Sequence, residues 1–243
     1  AGKMPEPELL LACLYREIAC EKDMTGLRVL VSAGATQEAI DPVRFISNHS
    51  SGKMGYALAE NAMRRGADVT LIHGPATVSP PPFVNLIRVT SAQEMLEAIV
   101  SRQAEQDILI KAAAVADYRP THAAEQKIKK SDGEACIPLT RTTDILKTLG
   151  EQRTEGQFLC GFSMETEHLL ENSRKKLVQK NLDMIVANSL RQAGAGFQTD
   201  TNQVTILTRE REIALPLLSK AETASRILSE ILHEKAQKKN QAN

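Results

Sequence analysis

The chain has 243 residues, of which 42% are apolar and 25% are charged, as in an ordinary globular protein. The 30 basic and 30 acidic residues give a net charge of zero, and five Phe, three Tyr and no Trp provide few rings, so nucleic-acid binding is not expected. No apolar run approaches the roughly 20 residues of a membrane span. Lys3 and the polar stretch 5–8 argue against a secretory signal.

The four cysteines are expected to be buried or free thiols. None lies in a C-x-x-C pair, and none has a histidine at metal-ligand spacing. This pattern fits a cytoplasmic protein in a reducing environment and disfavours a zinc site. The positions concerned are Cys13, Cys20, Cys136 and Cys160.

The beginning and the end of the chain are predicted to be separate from the main domain. Within residues 1–25, "PEPELLLACLYREIACEKDM" has apolar residues at helical spacing, which indicates one amphipathic helix. Gly26 is expected to end this element. The main domain is then predicted to cover 26–236, and the polar tail 237–243 is expected to be disordered.

Between these segments the sequence alternates strand and helix patterns. Helical patterns are found at 51–67 and 92–103 and again after residue 165, up to about residue 180. This alternation predicts an α/β fold with a doubly wound, mostly parallel, Rossmann-like sheet. The predicted strands lie at 27–33, 68–74, 84–90, 107–114, 157–165 and 183–189.

Two segments depart from the alternation. "QVTILTRERE" followed by "IALPLL" indicates a hairpin-like extension, with a closing helix at 220–233. Residues 115–142 form a long irregular excursion, a flap, after the fourth predicted strand. Ligands of open α/β sheets bind beyond the carboxyl ends of the strands, so a functional role for this flap is expected.

The stretch "NHSSGKMG" (48–55) contains a Gly-Lys pair, but it is not a Walker loop. Ser47 and Met54 occupy the positions where that motif needs Gly and Ser/Thr. The dinucleotide fingerprint is also absent, because the first strand is followed by "SAGAT" and the second ends in "LIHGP" without an acidic residue. A nicotinamide-dependent reductase is therefore disfavoured.

An anion site remains possible at the start of the helix that follows. Ser50, Ser51 and Gly52 precede it, and free backbone amides together with the helix dipole attract anions there. The alternative is an ordinary serine cap. Upstream, Arg44 offers a clamp for a phosphate or carboxylate, and Asn48 offers an amide, although each also suits a surface or turn position.

Four stretches together resemble one family, the phosphopantothenoylcysteine synthetase domains of bacterial coenzyme A biosynthesis. They are "SAGATQEAIDPVRFISNHSSGKMG", "KAAAVADYRP", "EQKIKK" and "KNLDMIVAN". The resemblance implies CTP-dependent joining of L-cysteine to 4′-phosphopantothenate through an acyl-cytidylate. It also implies Mg²⁺ with CTP, a homodimer, and a fused FMN-dependent decarboxylase whose linker would be residues 1–25.

The resemblance also implies roles for individual residues. Asn48 matches the residue that turns over the acyl-cytidylate, and Lys127 matches a catalytic lysine on the mobile flap. Substrate contacts fall on Arg44, Asn48, Ala113 and Ala114, and Asp117 contacts CTP or the metal. The other expected CTP contacts are Ser50, Ser51, Gly52, Asp117, Lys127, Thr142, Thr143, Asp144, Ile145, Phe162, Lys176 and Lys180.

Some of these assignments have alternatives. Thr142 and Thr143 stand where some members have Asn-Pro, which leaves side-chain contacts there in doubt. Phe162 also suits plain core packing, and the lysines also suit solvated faces. At the level of function, the alternatives are an NAD(P)-dependent reductase and a non-catalytic nucleotide-binding domain.

Overall fold

The computed structural model of the chain describes residues 4–76, 78–129, 135–165, 167–189 and 199–241. Its helices are α1 Pro7–Ile18, α2 Lys53–Arg64, α3 Ala92–Gln103, α4 Ile145–Gln152, α5 Leu169–Gln179 and α6 Lys220–Gln241. Its strands are β1 Arg28–Ala33, β2 Gln37–Ala39, β3 Phe45–Ser47, β4 Asp68–His73, β5 Asn85–Arg88, β6 Ile108–Lys111, β7 Tyr118–Pro120, β8 Leu139–Arg141, β9 Phe158–Glu165, β10 Met184–Ser189, β11 Thr201–Asn202, β12 Val204–Thr208, β13 Glu212–Ala214 and β14 Leu218–Ser219.

The central sheet confirms the predicted doubly wound fold. Its order is β13-β12-β10-β9-β6-β1-β4-β5, and the strands from β10 to β5 are all parallel. The order reverses between β1 and β6, which marks the crevice where such sheets bind ligands. The predicted hairpin is β12–β13, and it extends one edge of the sheet antiparallel.

The sheet is buried on both faces by helices. One face packs on α2 and α6 through residues such as Val31, Leu58 and Ile227. The other face packs on α3, α4 and α5 through residues such as Leu109 and Ile99. Burial on both faces explains why the strands are nearly continuous apolar runs instead of alternating patterns.

The first predicted helix is shorter than expected. Helix α1 ends at Ile18 and has no buried residue. Just beyond it, the Lys22 ammonium donates to the carbonyl of Arg16 and so satisfies part of the helix end. Gly26, with φ of +83°, lies in the turn into β1 and is not the helix stop that the sequence predicted.

The last predicted helix is longer than expected, and the tail prediction is wrong where the structure describes it. Helix α6 continues to Gln241 instead of ending at His233, because its last turns are anchored to the domain. Lys235 donates to the carbonyl of Gly156 at 2.5 Å, and Lys238 pairs with the buried Asp183. Residues 242–243 of the expected disordered tail lie outside the described residues.

Local pairing organises the loops at the carboxyl edge of the sheet. β2 and β3 form one antiparallel ribbon, and β7 and β8 form another across the base of the flap. The flap strand lies at Leu139–Arg141, and residues 130–134 lie outside the described residues. Helix α4, which the sequence reading missed, is N-capped by Asp144, whose carboxylate accepts from Lys147 N–H at 3.0 Å.

The cysteines are free, as predicted, with Cys160 buried and Cys13 and Cys136 exposed. Burial raises the pKa of the Cys160 thiol well above its ordinary range. Within the described ranges, none of the helices has the length and apolar character needed to cross a bilayer.

Candidate active site

A pocket of about 830 Å³ opens at the carboxyl edge of the sheet, next to the switch point between β1 and β6. Its size is typical of small-molecule sites. All but two of the site residues expected from the sequence line it. They are Asn48, Ser50, Ser51, Gly52, Ala113, Ala114, Asp117, Thr142, Thr143, Asp144, Ile145, Phe162, Lys176 and Lys180.

The N-terminus of α2 forms one wall of the pocket. Gly52 is the N-cap residue and has a φ of +78°, a conformation that side chains disfavour. The Ser50 hydroxyl accepts from Gly52 N–H at 3.3 Å, and the Ser51 hydroxyl lies 3.5 Å from the amide of Lys53. The first-turn amides of a helix have no carbonyl partner within it, so this end of α2 favours an anion in the pocket.

Two lysines of α5 lie on the opposite wall, each with a carboxylate partner. Lys176 Nζ contacts Glu165 Oε1 at 2.5 Å, and Lys180 Nζ contacts Asp144 Oδ2 at 2.8 Å. Burial opposes ionisation of Asp144, but the hydrogen bonds from Lys180 and the Lys147 amide outweigh it and lower its pKa. The two lysines, one helical turn apart at the C-terminal end of α5, thus both line the pocket.

The Asn48 amide lies against the chain that leaves β6. Its Nδ2 donates to the carbonyls of Ala114 and Val115 at 3.3 and 3.1 Å, which fixes the plane of the amide. Ala113 is buried, and its N–H donates to Ser32 Oγ at 3.4 Å. The small side chains of this alanine run let the pocket reach the backbone.

The segment entering α4 contributes mainly backbone to the pocket. Thr142 Oγ1 donates to the carbonyl of Ala116 at 2.6 Å, and Thr142 N–H donates to the carbonyl of Asp117 at 3.0 Å. The Ile145 side chain is buried in the core. Phe162 both lines the pocket and packs on the core, so the two interpretations of this residue are compatible.

Arg44 and Lys127 lie outside the pocket lining. The Arg44 guanidinium donates to the Asp41 carboxylate, through Nε at 2.9 Å, and to the carbonyl of Ile128 at 3.0 Å. Asp41 Oδ2 also accepts from Ile128 N–H at 3.1 Å. We call this arrangement of Asp41, Arg44 and Ile128 the clasp, because it attaches the flap next to Lys127 to the β2–β3 turn.

Asp41 is the centre of the clasp. Its side chain is fully buried, and it also accepts from Val43 N–H at 2.8 Å. The hydrogen bonds from Arg44 outweigh the effect of burial and hold its pKa far below the ordinary range of an aspartate. The carboxylate therefore stays charged across the physiological range.

Several residues that line the pocket were not predicted from the sequence. Lys111 ends the apolar strand β6, and a lysine at the end of a buried run was the available signal. Asn188 and Ser163 also line the pocket, and no hydrogen-bond partner within the described chain reaches their buried side-chain oxygens. Lys53, which was given no site role from the sequence, also lines the pocket and pairs with Asp200 at 2.6 Å.

The carboxylates of Asp117 and Asp144 are the acidic groups among the residues lining the pocket. Across the ranges that the structure describes, no cluster of three or more His, Cys, Asp or Glu has the arrangement of a metal site. A divalent cation bound here would therefore take part of its coordination from a ligand, as Mg²⁺ does with nucleotide phosphates.

Residues 24–235 match the model of one protein family, the DNA/pantothenate metabolism flavoprotein C-terminal domain. The chain belongs to this family. The resemblance inferred from the four sequence stretches is thereby confirmed.

The relatives found include longer proteins and one solved domain. The coenzyme A biosynthesis bifunctional protein CoaBC of Haemophilus influenzae is 46% identical over 231 residues, covering 95% of this chain and 58% of that protein. The CoaBC of Bacillus subtilis is 47% identical over 234 residues, covering 95% and 57%. The chain thus spans somewhat more than half the length of these relatives.

A crystal structure of the C-terminal domain of a CoaBC protein superposes with a TM-score of 0.74 at 48% identity. The match covers 86% of this chain and 97% of that one. This chain therefore has the fold of that domain over most of its length.

Proposed function

We propose that this family member ligates L-cysteine to 4′-phosphopantothenate at the expense of CTP, yielding 4′-phosphopantothenoylcysteine, CMP and pyrophosphate. The observation that carries the proposal is the pocket itself, where the start of α2 and the lysines of α5 face each other across the strand ends. Two phosphate-bearing substrates need such a pocket, because both bring negative charge to one place. The names of the 46–47% identical relatives support the same pathway.

The proposed chemistry has two steps. A carboxylate oxygen of phosphopantothenate attacks the α-phosphorus of CTP, and the bond from that phosphorus to pyrophosphate breaks. The cysteine nitrogen then attacks the activated carbonyl carbon, the bond to CMP breaks, and the nitrogen releases a proton. Activation is needed because a free carboxylate is a poor electrophile, whereas CMP is a good leaving group.

Asn48 is assigned to the second step. A neutral amide donates to a developing oxyanion without competing as a nucleophile, and here one of the two contacts of Nδ2 with a backbone carbonyl must be exchanged for the oxyanion. Its contacts with the carbonyls of Ala114 and Val115 hold it next to the run assigned to the phosphopantothenate. Arg44 is assigned to a substrate anion, because its guanidinium is half exposed although it belongs to the clasp.

Lys127 is assigned to the triphosphate, with the flap carrying it to the pocket. Its neighbour Ile128 is attached to the β2–β3 turn by hydrogen bonds to Asp41 and Arg44. This assignment therefore requires those bonds to break, so that the flap can move toward the pocket. Such closure excludes water and completes a site only after substrate binds.

Mg²⁺ is the expected companion of CTP. Asp117 fits this role, since Mg²⁺ in proteins takes one or two carboxylates and completes its shell with phosphates and water. When bound, the ion neutralises charge on the phosphates.

The function is tested by measuring pyrophosphate release and amide formation separately. We expect pyrophosphate only when CTP, Mg²⁺ and 4′-phosphopantothenate are all present, and amide only after cysteine is added. Competition among CTP, ATP, UTP and GTP tests the choice of base. Absence of pyrophosphate with every nucleotide would refute the proposal.

The domain organisation is part of the proposal. Residues 1–25 are assigned as a linker helix from a preceding FMN-dependent decarboxylase, and the chain from residue 26 to the end of α6 as the synthetase domain. The apolar side chains of α1 support this, since Leu14 is 57% and Ile18 is 77% exposed.

We also propose a homodimer. Light scattering of the 243-residue chain is expected to give the mass of two chains, and a monomer at micromolar concentration would contradict it.

A further inference from the structure

Lys111 lies at the carboxyl end of β6, in the middle of the pocket wall. Its strand neighbours are Ser32 of β1 and Gly161 of β9, so its backbone is fixed by parallel pairing on both sides. Its side chain lines the pocket and is partly buried. None of the roles proposed above uses it.

The charges around Lys111 are unevenly paired. Lys176 contacts Glu165 at 2.5 Å, and Lys180 contacts Asp144 at 2.8 Å. The Lys111 ammonium, by contrast, has neither a hydrogen bond nor an ion pair with any residue in the described part of the chain. This wall of the pocket therefore carries a cation that its own carboxylates do not directly neutralise.

The environment makes that cation costly in the free protein. Burial, followed by the ammonium of Lys180, lowers the pKa of Lys111 to about 8. Lys176 acts in the same direction, while Asp144 and Asp117 partly oppose the shift. An anion placed against Lys111 would relieve this cost, which is a common feature of binding sites.

We propose that Lys111 is a further nucleotide-binding residue, whose ammonium donates to a phosphate oxygen of the bound nucleoside triphosphate. The inference rests on the proposed function, in which that nucleotide is CTP. Lys176 and Lys180 must exchange or share their carboxylate partners to bind a phosphate. Lys111 has no such partner to give up, so its contact is gained without breaking an existing pair.

The proposal predicts a proton uptake with a defined sign. A phosphate beside Lys111 raises its lowered pKa toward the ordinary lysine value. Below pH 8 the ammonium is already protonated, and the affinity is highest. Above pH 8 binding must take up a proton, so the affinity falls as the pH rises. The other charged groups facing Lys111 are Lys176, Lys180, Asp117 and Asp144.

The test is calorimetry of Mg²⁺–CTP binding to the 243-residue chain between pH 7 and pH 9.5, in buffers of different ionisation enthalpy. Lys111→Met is expected to weaken binding at pH 7 by about tenfold or more, the usual loss for a charge-assisted hydrogen bond, and to abolish the proton uptake. Lys111→Arg keeps the charge without titrating, so binding should persist and become independent of pH. Lys175→Met is the matched control, because Lys175 is an exposed α5 lysine paired with Glu171.

The outcomes separate this inference from the function. If the wild type binds CTP and Lys111→Met binds it equally well with the same proton uptake, Lys111 has no role in binding. If Lys111→Met fails to fold, Lys111→Arg still decides, since a retained pH dependence would overturn the inference. If the wild type binds no nucleoside triphosphate, both the inference and the proposed function fail.

Discussion

The pocket wall and the flap, both at the carboxyl edge of the sheet, are held in place by different means. Lys111 ends β6 and Phe162 lies within β9, and both of these strands pair with neighbours on both sides. The flap is held at its base by the β7–β8 ribbon and farther out by the clasp. One further bond, from Ala124 N–H to the carbonyl of Ile40 at 2.9 Å, supports the clasp.

This difference assigns different tasks to the two regions. Groups on the wall are preorganised, so they stabilise charge without reorganising when a substrate binds. Groups on the flap are tied by a few contacts that exchange without disturbing the core. We therefore expect substitutions in the wall to affect chemistry and stability strongly, and substitutions at the clasp to affect mainly the access of Lys127 to the pocket.

The largest effect is expected from Asn48→Asp on the wall. A carboxylate lacks the N–H that donates to Ala114 and Val115, and it cannot donate to an oxyanion. Amide formation should fall by about 100-fold to 1,000-fold, as for loss of one oxyanion donor, while the acyl-cytidylate accumulates. Quench-flow with mass detection follows both species. Asn85→Asp on β5 is the control, and full turnover by Asn48→Asp would remove Asn48 from the mechanism.

The second prediction concerns the packing that supports the wall. A Cβ on Gly55 of α2 would lie 2.5 Å from Ala33 Cβ of β1, so Gly55→Ala must push the helix away from the strand. Overpacking of this kind costs about 1–3 kcal/mol in unfolding free energy, and the α2 N-terminus should leave its position. Urea denaturation measures the first effect and CTP affinity the second. Ser101→Ala on α3 should change stability by less than about 0.5 kcal/mol, and equal effects of the two variants would contradict the argument.

The sequence predicted the wall better than the flap, and for a physical reason. Strands buried on both faces are apolar runs of fixed length, so β1, β4, β6, β9 and β10 were all predicted close to their observed bounds. Residues at the ends of those runs meet at one edge of the sheet wherever the order reverses. That rule predicted where the site lies, whereas the resemblance to the family assigned Asn48, Phe162, Lys176 and Lys180 to it.

The clasp was not predictable in this way. Asp41 and Ile128 are 87 positions apart. The Asp41-Pro42 pair favours a turn between β2 and β3, but it does not indicate which distant segment that turn binds. Lys111 was missed for the opposite reason, since one lysine at the end of an apolar strand looks like a solvent-exposed end. Its significance depends on which neighbouring lysines are already paired, and this is a property of the tertiary structure.

A smaller effect, confined to the flap, is expected from Asp41→Asn. The neutral amide loses the ion pair with Arg44, so the flap should detach more often and trypsin should cleave after Lys127 and Lys129 several-fold faster. Because the pKa of Asp41 is lowered, the wild-type clasp should hold at any pH above about 4, the value of an unperturbed aspartate, and weaken only in stronger acid. Asp68→Asn, at the exposed start of β4, is the control, and unchanged cleavage in Asp41→Asn would show that the clasp does not restrain the flap.

The smallest effect is expected at Thr142, where the flap joins the wall. Its hydroxyl donates to the carbonyl of Ala116 at 2.6 Å, and Thr142→Val removes that bond with little change in shape. The expected loss is about 0.5–1.5 kcal/mol of unfolding free energy, the net value of one such bond. CTP affinity should stay within twofold, because the hydroxyl is directed to the backbone and the nucleotide would meet only main-chain groups here. If Thr142→Val lowers the binding free energy of CTP by more than it lowers the free energy of unfolding, the Thr142 side chain contacts the nucleotide. Thr142 would then belong to the wall of the pocket and not to the flap.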